Sequence, residues 1–232
     1  MGRQLSGAAA TRSALISAAL KLFGEHGYDA VSTRQIADHA AANIGSIAYH
    51  FGGKPGLRIA CVEYVISAVV EAMGAPLTQS PPSDLSQDEA MAVLEEMFTN
   101  LVRVGAQRPD SEDISTFLMR EMVMPGEIHD HIYTGMVRPL HERVEQLFGI
   151  ATGAEGQTDD IKLTVFTLMG QTMSFRLCKP ALMRRMGWNE LGDAETEALI
   201  DAIRFNLRAI VAWRRQTVAS QVAPNAPIAL FG

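Results

Sequence analysis

Cysteine is scarce in this chain of 232 residues, with only Cys61 and Cys178 present. Two thiols do not make a disulfide framework. They fit a reducing compartment, and both are expected to serve as small buried hydrophobes. No apolar run approaches the ~18 uncharged residues needed to cross a bilayer, which argues against an integral membrane protein. The opening residues, MGRQLSGAAATR, hold no continuous apolar segment of the secretory-leader type, so the expected location is the cytoplasm. Alternating Val/Ile/Thr runs bounded by hairpin dipeptides are missing, which removes a β-sheet from consideration. Also missing are G-x-S-x-G, a Walker-type phosphate loop, H-E-x-x-H and a convincing acid–base pair. Their absence leaves neither an enzyme nor a cofactor with positive support.

What the chain does have is helical periodicity along most of its length. Leu15, Ile16, Ala19, Leu22 and Phe23 form a stripe behind an expected cap at Thr11, and Gly24 and Gly27 mark its end. Thr33 to His39 and Ile44 to His50 read as two short helices separated by Ala40-Ala41-Ala42-Asn43. Gly52-Gly53 breaks the chain, and Pro55 suits the first turn of a fourth helix that ends near Gly74. Ser86 and Glu89 form a capping box for a helix with Met91, Leu94, Met97, Phe98 and Leu101 inside. Further helices are expected over 111–124, over 127–148 with a kink at Pro139, over 159–178, between Pro180 and Gly187, and over 194–215. The fold class is therefore all-α, with about nine helices. The expected organisation is a flexible tail over 1–10, a helix-turn-helix domain over 11–56, a larger helical domain over 57–216 and a flexible tail over 217–232.

Charge is divided unevenly. The chain carries −6 overall, yet residues 1–56 carry +2 and the remainder −8. A mildly basic head on an acidic body is compatible with a small module that meets a polyanion. Within that head, the two short helices have too little area for a core of their own. A helix of seven residues is about 10 Å long, close to the width of the DNA major groove. Two such helices joined by a tight turn make a helix-turn-helix, in which the second enters the groove. Thr33 offers a hydroxyl and free N–H groups to a phosphate, and Asn43 is a good cap for the recognition helix. Gly45 and Ser46 let its backbone approach base edges, Tyr49 and His50 reach the groove rim, and Lys54 suits a phosphate.

The residues that carry this reading also resemble a known family. Leu15-Ile-Ser-Ala-Ala-Leu-Lys-Leu-Phe-Gly-Glu-His-Gly-Tyr28, Ser32-Thr-Arg-Gln-Ile-Ala37, Ile44-Gly-Ser-Ile-Ala-Tyr-His-Phe51 and Lys54-Pro-Gly-Leu57 are similar to the TetR family of bacterial repressors. Ala41 stands where that family usually has a turn glycine, which requires its φ to stay negative; Ala48 stands where an aromatic is usual. Arg120-Glu121-Met122, Pro125, the stretch from Val137 to Arg143, Phe175-Arg176, Pro180 and Gly187-Trp188 resemble one branch of the family with its own C-terminal domain. The resemblance implies DNA contacts from Thr33, Arg34, Asn43, Ile44, Gly45, Ser46, Tyr49, His50 and Lys54. It further implies a homodimeric repressor on a palindromic operator, paired through 159–178 and 194–215, and a small-molecule effector that releases it. A largely apolar effector would sit among Phe98, Phe117, Met122, Tyr133, Met136, Phe166, Met169 and Met173, the twelve methionines of the chain favouring an adaptable cavity.

Three other features invite weaker readings. Glu127, His129, Asp130, His131, His141 and Glu145 suggest a metal site, but His129 and His131 point about 200° apart on a helix, so no metal is expected. Arg184-Arg185 and Arg214-Arg215 suit solvated helix ends. A helical scaffold that binds only protein would leave the short-helix pair and Lys54 without a purpose.

Overall fold

The computed structural model describes residues 7–79, 82, 84–154 and 158–222. Their regular elements are all helices: α1 (Gly7–His26), α2 (Thr33–His39), α3 (Gly45–Phe51), α4 (Lys54–Met73), α5 (Ala75–Thr78), α6 (Gln87–Gln107), α7 (Ser111–Val123), α8 (Glu127–Ile132), α9 (Arg138–Thr152), α10 (Asp159–Leu177), α11 (Lys179–Met186) and α12 (Asp193–Val222). A π-helical turn over Tyr133–Val137 joins α8 to α9.

The stripe on α1 is buried as its spacing predicts, with Leu15, Ala19 and Phe23 fully enclosed. The helix already includes Gly7, inside the segment expected to be a tail. Thr11 is therefore an interior residue: its hydroxyl donates to the Gly7 carbonyl at 2.9 Å rather than capping the end. At the other end, α12 continues to Val222, six residues past the expected boundary, and residues 223–232 lie outside the described part.

The expected kink at Pro139 takes a specific form. Proline has no N–H for the preceding turn, so the chain widens by one residue just before it. The Arg138 N–H donates to the Tyr133 carbonyl, five residues back, and α9 restarts with Pro139 in its first turn.

One continuous hydrophobic core runs from Leu15 on α1 to Val211 on α12. The head and the body are not separate globules: α1 packs along α7, and Gly24 permits the approach, since a Cβ there would lie 3.0 Å from the Phe117 backbone nitrogen. Around the body, arginines of α12 cross-link it to earlier helices. Arg208 pairs with Glu95, Arg214 with Asp160, and Arg215 with Asp88 and the Ala151 carbonyl. Arg214 and Arg215 thus tie helices together rather than solvating a terminus, because the helix continues beyond them. Arg184 and Arg185 do occupy the last turn of α11. Among the described residues, no helix is long and apolar enough to cross a membrane.

Candidate nucleic-acid interface

The site begins with how α2 and α3 are held. Ser32 and Gln35 form a reciprocal capping box at the start of α2, with the Ser32 hydroxyl accepting from the Gln35 N–H at 3.2 Å. Asn43, two residues before α3, caps its start with a single contact, its Oδ1 accepting from the Gly45 N–H at 2.8 Å. Between the helices, Ala41 has φ 49°, so the negative φ that an alanine prefers is not met. The turn demands the left-handed conformation whatever residue occupies it, and a Cβ there is strained. After α3, Gly52 and Gly53 reverse the chain at φ 72° and 131°. Gly56 then lets α4 pass against the end of α3, where a Cβ would stand 1.9 Å from the Phe51 carbonyl oxygen.

This scaffold turns α3 so that Ile47 is fully buried while the opposite side faces out. Tyr49 is 83% exposed and Ile44 48% exposed. Asn43, Gly45 and Ala48 are exposed beside them, and Ser46 is half-buried. The half-buried His50 ring packs edge-on to Tyr49, with centroids 4.9 Å apart. On α2, Thr33 is half-buried at the first helical position and Arg34 is exposed. Lys54 starts α4 with its Nζ 4.2 Å from the centre of the Tyr28 ring.

Two members of this surface were not anticipated. Arg12 on α1 stacks over Phe51 at 5.3 Å, which adds a cation beside the end of α3. Tyr28 lies between Lys54 and Arg58, whose guanidinium is 4.3 Å from the same ring. Both relations join residues distant in sequence, so no local pattern announces them.

The head is locked to the body by the Arg120-Glu121 pair on α7. Arg120 donates to the carbonyls of Gly24 and Glu25 at 3.0 and 3.2 Å, satisfying orphan acceptors at the end of α1. Glu121, itself buried, accepts twice from Arg58 at 3.0 and 2.5 Å. A second bridge joins α4 to the loop before α7, where Tyr64 donates to Asp110 at 2.5 Å and Arg108 donates to the same carboxylate. Burial pulls the Asp110 pKa up, but the hydrogen bonds from Arg108 and Tyr64 outweigh it and hold the carboxyl below its ordinary range.

The eight residues expected to line an effector pocket divide between the core and the surface. Phe98 and Phe117 are fully enclosed in the core, and Met136 and Met169 are buried there too. Met122 and Met173 pack partly against it, whereas Tyr133 and Phe166 are exposed on the outside. Open spaces lie elsewhere: one of about 590 Å³ is lined by Tyr28, Arg58, Arg120 and Glu121, and two lie beside short α11. One groove of about 530 Å³ lies among α10, α11 and α12, lined by Phe175, Cys178, Leu182 and Ile203. Another, of about 360 Å³, lies among α7, α10 and α11. Cys178 is exposed at the junction of α10 and α11, contrary to its expected burial, while Cys61 is fully enclosed and its thiol pKa is pushed up by that burial.

Among the described residues, no three His, Cys, Asp or Glu side chains converge on a point. His129 contacts Asp130, and His131 contacts Glu63 at 2.6 Å. His141 packs near the Phe166 ring, and burial lowers its pKa.

A capped, outward-turned short helix on a basic helical head, locked to a larger helical body, defines a helix-turn-helix DNA-binding protein. The comparisons name its family. Residues 15–61 match the family of bacterial regulatory proteins called tetR, and residues 90–212 match the C-terminal domain of the HTH-type transcriptional dual regulator CecR. The chain belongs to the TetR family, in the branch with the CecR-type C-terminal domain; it is a DNA-binding transcriptional regulator and not an enzyme. It is 27% identical to the dual regulator CecR of Shigella flexneri over 201 residues, 85% of this chain and 89% of that protein. Its fold is that of a TetR-like regulator from Rhodococcus sp. RHA1, with a TM-score of 0.63 and 18% identity over 92% of this chain and 99% of the other. The regulator FadR from Bacillus subtilis, solved with stearoyl-CoA, has a TM-score of 0.58 and 15% identity, over 82% and 96% of the two chains.

Proposed function

We propose that this protein is a homodimeric repressor in the cytoplasm that grips a palindromic operator with two copies of α3 and is released by a small effector, largely apolar in body, bound in its C-terminal body. The observation that carries this reading is the exposure of Tyr49, 83%, on a seven-residue helix whose other face is locked in the core. Folding alone does not call for a large aromatic ring in water at that position; a groove wall does. His50 packs against it, Asn43, Ile44, Gly45 and Ser46 lie at the start of the same helix, Arg34 and Thr33 lie at the start of α2, and Lys54 and Arg12 supply charge for flanking phosphates.

One recognition helix makes too few base contacts to select a site from a genome, which is why a second copy is needed. Exposed Leu163 and Phe166 on α10 and Phe205 and Trp213 on α12 support pairing through these helices. For release, shifting occupancy from 99:1 to 1:99 requires about 5.5 kcal/mol of differential binding by the effector. The Arg120 and Glu121 contacts provide a rigid route from the body to α1 and α4, and hence to the spacing of the heads.

The test is a gel shift on DNA from the region upstream of the protein's own gene, at several salt concentrations. Sequence-selective, salt-sensitive binding is expected, with log Kd rising linearly with log salt. Tyr49→Ala combined with Lys54→Glu is expected to weaken it about a hundredfold, roughly 2.7 kcal/mol. Unchanged binding by that variant with normal circular dichroism would overturn the reading.

A further inference from the structure

Arg176 near the end of α10 is a cation without a carboxylate. Its Nε and Nη2 donate to one hydroxyl, Ser115 Oγ, at 3.1 and 2.8 Å, and among the described residues no other group accepts from it. A guanidinium carries five N–H donors in a planar fork, so most of its capacity is unused. Ser115 is in turn committed, donating to the Ser111 carbonyl at 2.5 Å. Desolvation is the whole cause of the downward displacement of the Arg176 pKa, which fits a charge that no acidic neighbour compensates.

The same arginine lines the cavity of about 360 Å³ between α7, α10 and α11. The wall there combines the hydroxyls of Ser115 and Thr116 with apolar Phe175, Leu177 and Met183. Lys179 and Glu112 also line it and pair with each other at 3.6 Å, so the charge left over is that of Arg176. The backbone makes room for the fork: a Cβ on Gly105 would lie 2.5 Å from Arg176 Cδ and 2.9 Å from its Nε.

We infer that this cavity is the effector site and that Arg176 receives the carboxylate of a small organic acid whose hydrocarbon body lies on Phe175, Leu177 and Met183. A planar fork with unused donors in a desolvated wall matches a carboxylate, and the apolar wall matches a short chain or ring. The inference rests on the repressor reading only for the word effector. The consequence for the head follows from one helix: Ser115 and Thr116 meet the cavity, and Arg120 and Glu121, about one turn further along α7, hold α1 and α4. An acid that draws Arg176 away from Ser115 acts on the helix that locks the head.

The experiment is isothermal titration of the full chain, without DNA, using octanoate and benzoate against the matched neutral probes 1-octanol and benzyl alcohol. At least one acid is expected to bind ten times more tightly than its alcohol or better. Arg176→Met should abolish that preference, while Arg176→Lys should keep part of it. Gly105→Ala retains the arginine but crowds it, and should reduce the preference at least threefold; it decides the matter if Arg176→Met fails to fold. Failure of both acids to bind, equal binding of acid and alcohol, or an unaltered preference in the variants would overturn the inference. Because the titration contains no DNA, a failed gel shift would count against the repressor and leave this result standing.

Discussion

Ala41 concentrates the tension between a residue's preference and the turn it serves. Its φ of 49° lies in the left-handed region, where an L side chain costs about 1 kcal/mol or more. Ala41→Gly removes that strain, offset in part by the extra freedom glycine gives the unfolded chain. The expected net gain is about 0.5 kcal/mol, raising the midpoint of thermal unfolding by roughly 1–2 °C in scanning calorimetry. A lowered midpoint would show that the turn gains something from the methyl group. Tyr49 is the complementary case. Its identity is written in the sequence, but its meaning depends on an exposure that comes from Ile47 being pinned on the opposite side of α3.

At the level of the element, α7 is the piece that joins head to body. Arg120 and Glu121 stood out in the sequence as part of a motif with no assigned task; the structure makes them the clamp on α1 and α4. Glu121→Ala leaves Arg58 without its carboxylate at a half-buried position, with the Glu121 side chain itself only 4% exposed. The expected cost is about 2 kcal/mol, which lowers the unfolding midpoint by roughly 4–8 °C. Glu121→Gln, which keeps one acceptor, should fall between. A change below about 1 °C for the alanine variant would mean that solvent replaces the pair without loss. Element boundaries show where local reading stops. The capping boxes at Ser32 and Ser86 lie wholly in short stretches of chain. The π turn before Pro139 and the extension of α12 to Val222 depend on packing and helix continuation that composition does not encode.

For the whole molecule, the informative feature is the apolar surface exposed on two long helices. Phe205 is 71% exposed, Leu163 67%, Phe166 66% and Trp213 59%, all on α10 and α12. Large apolar side chains exposed on these two helices suit the dimer interface proposed above. Phe205→Asp places a charge in the expected interface and should convert a dimer to a monomer in sedimentation equilibrium at micromolar concentration. Operator affinity should fall with it, because each protomer then binds a half-site alone. A wild-type protein that sediments as a monomer would refute pairing through these helices.

The all-helical class, the short-helix pair and the family were legible from the chain alone, because each rests on spacing within a few turns: apolar periodicity, capping residues and glycine breaks. The effector site proposed above was not. Phe98, Phe117 and Met169 look the same in sequence whether they fill a core or line a cavity, and only close packing decides that they fill it. Arg176 could not be seen as unpaired until α7 and α10 were brought together, since a missing partner is a property of every neighbour in space. Local free-energy terms act along the chain and can be read there; burial, charge compensation and empty volume arise only where distant segments meet.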